Sequence, residues 1–165
     1  MTSMNRVDSP WDEIVPSLWM GGHEYVDREG LWTPAVVGLE FDVVYSLYQR
    51  EGYGPAFGVE DHFLDIPDEL LTAEQILGVF RLAAAVTFHW NAGRTVLVRC
   101  RSGLNRSGLV IAQALINNGR TAEAAVELIR ARRSPRALNN QLFVDYLTTG
   151  LDLSAQLTAL GTETY

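Results

Sequence analysis

The chain of 165 residues contains no lysine; all thirteen of its cations are arginines. That absence excludes a lysine Schiff base and the phosphate-gripping lysine of a Walker-type nucleotide loop. There is a single cysteine, so no internal disulfide can form and Cys100 is a free thiol, as expected in a reducing compartment. No apolar run approaches the roughly 20 residues of a membrane span. The polar, acidic opening "MTSMNRVDSPWDE" also lacks the basic-then-apolar order of a secretory signal. These absences predict a cytoplasmic protein with no membrane partner. Internal repeats and low-complexity tracts are likewise missing, and the length fits one domain. We expect that domain to span 1–165, with a core of about 12–150 and terminal segments at 1–11 and 151–165.

Charge is present but unevenly placed. The net charge is -7, yet residues 94–136 hold nine arginines against two acids, while residues 1–93 hold four against fifteen. A basic segment in an acidic chain points to a local anion site, because nucleic-acid binding normally needs a basic domain overall. No nucleic-acid partner is therefore expected. Taken singly, Arg120, Arg130, Arg132 and Arg133 read as cations on solvated helix faces.

The hydrophobic pattern alternates strands and helices. "DEIVPSLWMGG" reads as a short strand interrupted by Pro16 and closed by Gly21 and Gly22, and "FDVVYSL" as a buried strand. "REGYGPAFG" is a loop by its glycines and proline, and the wider "SLYQREGYGPAFG" is fit for partner contacts or for nothing more than an ordinary surface loop. "DHFLDI" is a third strand ending at Pro67. Thr72 and Gln75 form a capping box ahead of "ILGVFRLAAAVTFHW", and Gly93 stops that helix. "RTVLVRC" is a β-branched, fully buried strand, and 107–118 a helix apolar almost all round. Thr121 caps the next helix, Ser134 and Pro135 end it, and Leu142, Phe143, Tyr146 and Leu147 mark another that stops near Gly150. The tail from Leu151 has no assignable pattern. This order predicts an α/β fold with a mostly parallel twisted sheet of about four to five strands and helices on both faces.

Ligands of such folds collect where a strand's carboxyl end passes into a helix, because the first N–H groups of the helix are unpaired. The stretch "VLVRCRSGLNRSGLV" places Cys100 at that position, among Arg99, Arg101 and Arg106. A loop of this length can turn its N–H groups inward as an anion nest, with Gly103 and Gly108 allowing close turns. Thiols in such a field ionise more readily than free ones, so the surroundings suit a nucleophile better than a buried structural cysteine.

"VRCRSGLNRSG" resembles the C-x5-R-[ST] signature of the cysteine-dependent protein phosphatases. "IVPSLWMGG" is similar to the N-terminal segment of their dual-specificity subfamily, "LDIPDE" to its general-acid loop, and "IRARRSPRALNNQLFVDYL" to its closing helices; together they cover about residues 12–148. The resemblance implies hydrolysis of phosphomonoesters, most simply phosphotyrosine or phosphoserine and phosphothreonine in proteins. Cys100 would be the nucleophile and Arg106 the guanidinium that holds two phosphate oxygens. Ser107 would donate to the thiolate, and Asp68 would be the general acid, with Asp65 as the alternative. The backbone of Arg101, Ser102, Gly103, Leu104 and Asn105 would surround the phosphate. No metal or other cofactor is implied, and His23, His62 and His89 have no metal-ligand spacing; they read as structural or surface residues.

One position departs from the pattern: the residue before the cysteine is usually histidine, and here it is Arg99. If its side chain points away from the pocket, its effect on the thiolate is indirect. Two other readings compete. A rhodanese-like sulfurtransferase loop is similar to this one, but places four residues between cysteine and arginine, where "CRSGLNR" places five. A pseudophosphatase would bind phosphate without useful turnover and would have no need of Cys100, Arg106 and Asp68 together.

Overall fold

A computed structural model describes residues 7–162. Its strands are β1 (Trp11–Val15), β2 (Leu18–Gly21), β3 (Glu24–Val26), β4 (Trp32–Pro34), β5 (Val43–Ser46), β6 (Glu60–Phe63) and β7 (Val96–Arg99). The helices are α1 (Ala73–Asn91), α2 (Arg106–Asn117), α3 (Ala122–Arg132), α4 (Gln141–Thr149) and α5 (Leu151–Thr162). Five strands form the central sheet in the order β1-β2-β7-β5-β6, and β3 and β4 form a separate ribbon. β2, β7, β5 and β6 run parallel, with only β1 antiparallel to its neighbour, so the fold is α/β with a mostly parallel sheet, as the strand–helix alternation predicts.

The period of two along the strands divides the core. Leu18, Met20, Val43, Tyr45, Val96 and Val98 face the helices, and the alternate residues Trp19, Val44 and Leu97 face the other way. Among the described residues, all five helices contribute to the first cluster. The second face is covered by an irregular segment carrying Val37 and Phe41, with Trp11 and Trp19 edge-on to Phe41. Helices on both faces are therefore not what is found. The stretch between β4 and β5, residues 35–42, is too short for a helix that would cover the sheet, and aromatic side chains supply the cover.

Local signals account for most element boundaries. Thr72 accepts from the Gln75 N–H while Gln75 accepts from the Thr72 N–H, which closes the capping box of α1. Thr121 caps α3 through the Ala124 N–H. α2 is buried along nearly its whole length, as its apolar circumference requires.

Two segments differ from the sequence reading. "DEIVPSLWMGG" is two strands of a hairpin, because Pro16 cannot donate to a ladder and Ser17 takes a left-handed conformation that reverses the chain. The tail from Leu151 is a helix packed on α1 and α4. Its pattern misleads because Leu151, Ser154 and Ala155 face inward, whereas Leu153, Leu157 and Leu160 are exposed.

Candidate active site

β7 ends at Arg99 and α2 begins at Arg106, so residues 100–105 form the strand-to-helix loop in the middle of the sheet. The carbonyls of this loop are all taken. Cys100 O lies 2.8 Å from His23 Nδ1, and Arg101 O accepts from the His23 N–H at 2.8 Å. Arg133 donates to Ser102 O and Gly103 O at 3.4 and 3.1 Å. Leu104 O accepts from the Leu138 N–H and Asn105 O from the Leu109 N–H, both at 2.9 Å. By contrast, the N–H groups of residues 101–106 make no hydrogen bond among the described residues. A planar peptide points its C=O and the following N–H in opposite directions, so every anchored carbonyl turns one N–H to the other side of the loop. The result is a concave row of donors, suited to the oxygens of a tetrahedral anion.

Glycine makes this curvature possible. Gly103 has φ +74°, and a Cβ there would lie 2.6 Å from the carbonyl carbon of Gly21. A Cβ on Gly22 would come within 2.7 Å of Arg101 O. The close approach of β2 to the loop therefore depends on Gly22 and Gly103 together.

Cys100 is buried at the base of the loop, with its Sγ 3.3 Å from Ser107 Oγ in the first turn of α2. Arg106 stacks over the Tyr48 ring at 5.6 Å and donates to Ile66 O at 3.3 Å, which ties it to the segment leading to Asp68. Both Asp68 oxygens are held: Oδ2 accepts from Asn105 Nδ2 at 3.0 Å and Oδ1 from Asn140 Nδ2 at 2.9 Å. Asp65 makes no such link among the described residues. Asn105 stands at the N-cap of α2 without capping it, since its side chain is committed to Asp68 and to Asn139 and Asn140. Leu104 is buried in the main core cluster, whereas Arg101 is exposed and pairs with Glu24 at 3.3 Å.

The sequence reading is corrected at several residues. Arg133 is not on a solvated face. It is buried at the end of α3 and donates also to Ser9 O and to Asp12 at 2.8 Å, while burial lowers its pKa against the opposing pull of Asp12. Arg130 likewise reaches inward, to the carbonyls of Ala137 and Leu138. Arg120 and Arg132 are exposed, as expected. Helical periodicity could not separate these four, because the acceptors of Arg130 lie in the loop after α3 and those of Arg133 in segments distant along the chain.

Arg99 points to the face opposite the helices. Fully buried, it donates to Ser46 Oγ at 2.9 Å, to Tyr53 O at 2.8 Å and to Gly54 O at 2.7 Å. Burial lowers it to about 10, with Asp61 pulling the other way. It thus pins the glycine-rich loop to the sheet; Tyr53 of that loop, and Tyr48 just before it, pack on the ring of His23.

The histidines have structural or surface places in the fold. His23 is fully buried beside the loop. Burial depresses it to about 4; the bond to Cys100 O opposes this, and Arg99, Arg50 and Arg106 add to it. Glu60 and His62 on β6 and His89 on α1 converge with donor atoms within 4.8 Å of one another, a set chemically able to hold a metal ion. Those donors already satisfy one another: Glu60 Oε2 lies 2.7 Å from His62 Nε2 and 3.0 Å from His89 Nε2. Arg94 Nη1 donates to Glu60 Oε1 at 3.0 Å and to His89 Nδ1 at 2.8 Å. A guanidinium on His89 Nδ1 opposes the Nδ1–H that a metal-bound imidazole normally donates, so the cluster is a closed ion-pair network.

Comparison with solved structures defines the fold class. Human DUSP28 superposes with a TM-score of 0.66 at 20% identity, covering 92% of this chain and 98% of the other. A mouse dual specificity phosphatase complexed with zinc tungstate gives 0.62 at 21% identity, covering 88% and 91%. Tk-PTP in its active form gives 0.59 at 23% identity, covering 84% and 96%. The chain therefore has a dual-specificity phosphatase-like fold. No protein-family model and no curated protein matches it in sequence.

Proposed function

We propose that the protein is a cysteine-dependent phosphatase that hydrolyses phosphomonoesters, with phosphotyrosine and phosphoserine or phosphothreonine of proteins as its substrate class. The observation that carries this reading is the loop itself. Six N–H groups without a hydrogen-bond partner among the described residues follow a cysteine whose sulfur meets a serine hydroxyl, and a carboxylate is bound to the same loop through Asn105.

In this reading the Cys100 thiolate attacks phosphorus, the S–P bond forms and the P–O bond to the leaving group breaks. Asp68 gives its proton to the departing oxygen. Arg106, leaving Ile66 O, holds two phosphate oxygens through its planar fork, and the N–H groups of residues 101–106 stabilise the charge spread over the transferring group. Water then attacks the phosphocysteine, its proton passes to Asp68, and the S–P bond breaks to return the thiolate with Ser107 donating to it. The products are the alcohol or phenol and inorganic phosphate.

Hydrolysis of p-nitrophenyl phosphate in the presence of chelator tests the reading. Turnover by the wild type that is abolished in Cys100→Ser and reduced in Asp68→Asn supports it. A folded wild type that binds tungstate without turnover supports the pseudophosphatase reading instead.

A further inference from the structure

His23 holds two consecutive loop carbonyls at once. Its side chain meets Cys100 O and its backbone N–H meets Arg101 O, both at 2.8 Å. A carbonyl only accepts, so Nδ1 carries the proton and Nε2 is left as a bare acceptor. That Nε2 is buried and has no hydrogen-bond partner among the described residues. A buried polar atom left without a partner costs stability, and the fold retains it next to the nucleophile. The ring also packs edge-on to Tyr48 at 5.0 Å, and Tyr48 is the platform under Arg106.

We propose that His23 is a positioning residue of the anion nest, whose Nδ1–H fixes the Cys100 carbonyl and so aims the Arg101 N–H at the phosphate while its ring braces Tyr48 beneath Arg106. This inference rests on the reading of the loop as a phosphate site. The peptide plane provides the link, since rotating the Cys100 carbonyl by any angle rotates the Arg101 N–H with it. The cations around the ring, Arg99 from β7, Arg50 from the glycine-rich loop and Arg106 from α2, together with burial, keep the imidazole neutral and its tautomer fixed. Tyr48 and Tyr53 complete the ring's surroundings.

Two measurements test this. In long-range proton–nitrogen spectra of histidine-labelled protein at neutral pH, His23 is expected as the neutral Nδ1–H tautomer; an Nε2–H or charged ring overturns the inference. In calorimetric titration with tungstate, His23→Leu removes the donor and is expected to weaken binding about tenfold or more. His23→Asn places an amide N–H where Nδ1 stood and is expected to bind within about threefold of wild type. Equal affinity of wild type and His23→Leu, or an Asn variant as weak as the Leu variant, overturns it. Should His23→Leu fail to fold, the tautomer and the Asn variant decide. If wild type itself does not bind tungstate, the phosphate-site reading falls and this inference with it; wild-type binding that His23→Leu leaves untouched overturns this inference alone.

Discussion

Asn105 donates its side-chain amide to Asp68 at 3.0 Å, joining the loop that follows the cysteine to the loop that carries the carboxylate. The helix N-cap position is given up for this bond, which leaves the first N–H groups of α2 for an anion.

Loss of this bond should therefore act on proton donation more than on anion binding. Asn105→Ala is expected to lower kcat/KM about tenfold for a substrate with a poorly departing alcohol, and less for p-nitrophenyl phosphate, whose leaving group needs little protonation. Steady-state kinetics with both substrates checks this; equal losses contradict it.

Gly103 is held against Gly21 at a positive φ, so an added methyl has nowhere to go. Gly103→Ala is expected to cost about 2 kcal/mol or more in a denaturant melt and to weaken tungstate binding, because either β2 or the loop must move.

Arg133 joins Asp12 in β1 to the carbonyls of Ser102 and Gly103. Replacing it with methionine takes the cation from the partly exposed Asp12 carboxylate and leaves the Ser102 and Gly103 carbonyls without their donor, an expected loss of about 2 to 3 kcal/mol. Thermal denaturation reads this directly, and a loss under about 1 kcal/mol would put Arg133 back among the solvated cations.

Arg99 is bound to the glycine-rich loop and not to the nucleophile. Arg99→Leu is expected to expose the chain after Arg50 to trypsin, while iodoacetamide modifies Cys100 at an unchanged rate. Trypsin resistance equal to wild type, or a changed alkylation rate, contradicts that division of roles.

His23 ties stability to pH. Its pKa is about 4 in the fold against an ordinary 6.5, so between those values the unfolded chain binds more protons than the folded one. The stabilisation is complete above pH 6.5 and is lost as pH falls toward 4, amounting to about 2 kcal/mol by about pH 5. Glu60, held low at about 2 mainly by His62 and then by Arg94, loses its contribution only as pH falls below its ordinary 4.5, outside the interval from pH 6.5 to 5. His23→Asn is expected to flatten the slope between pH 6.5 and 5; an unchanged slope places the titrating group elsewhere.

Much of the loop was legible in sequence, because strand, glycine turn and helix start are all local signals. Cys100, Ser107 and Arg106 fall together for that reason, and so do the caps at Thr72 and Thr121. His23 and Arg133 were not legible as part of the site. Each acts through carbonyls that carry no side-chain identity, and each is distant from its partners along the chain. α5 was missed because its exposed leucines invert the usual pattern. The absence of a helix on the second face was hidden because Phe41, Trp11 and Trp19 cover it with single side chains rather than a periodic run.

The most direct test of the central claim is intact-protein mass spectrometry after rapid acid quench of wild type and Cys100→Ser with p-nitrophenyl phosphate. The account predicts a phosphoryl adduct on the wild type that maps to Cys100, formed with the burst of p-nitrophenol and absent from the serine variant. Turnover with no adduct at Cys100, or an adduct that survives in Cys100→Ser, would contradict it.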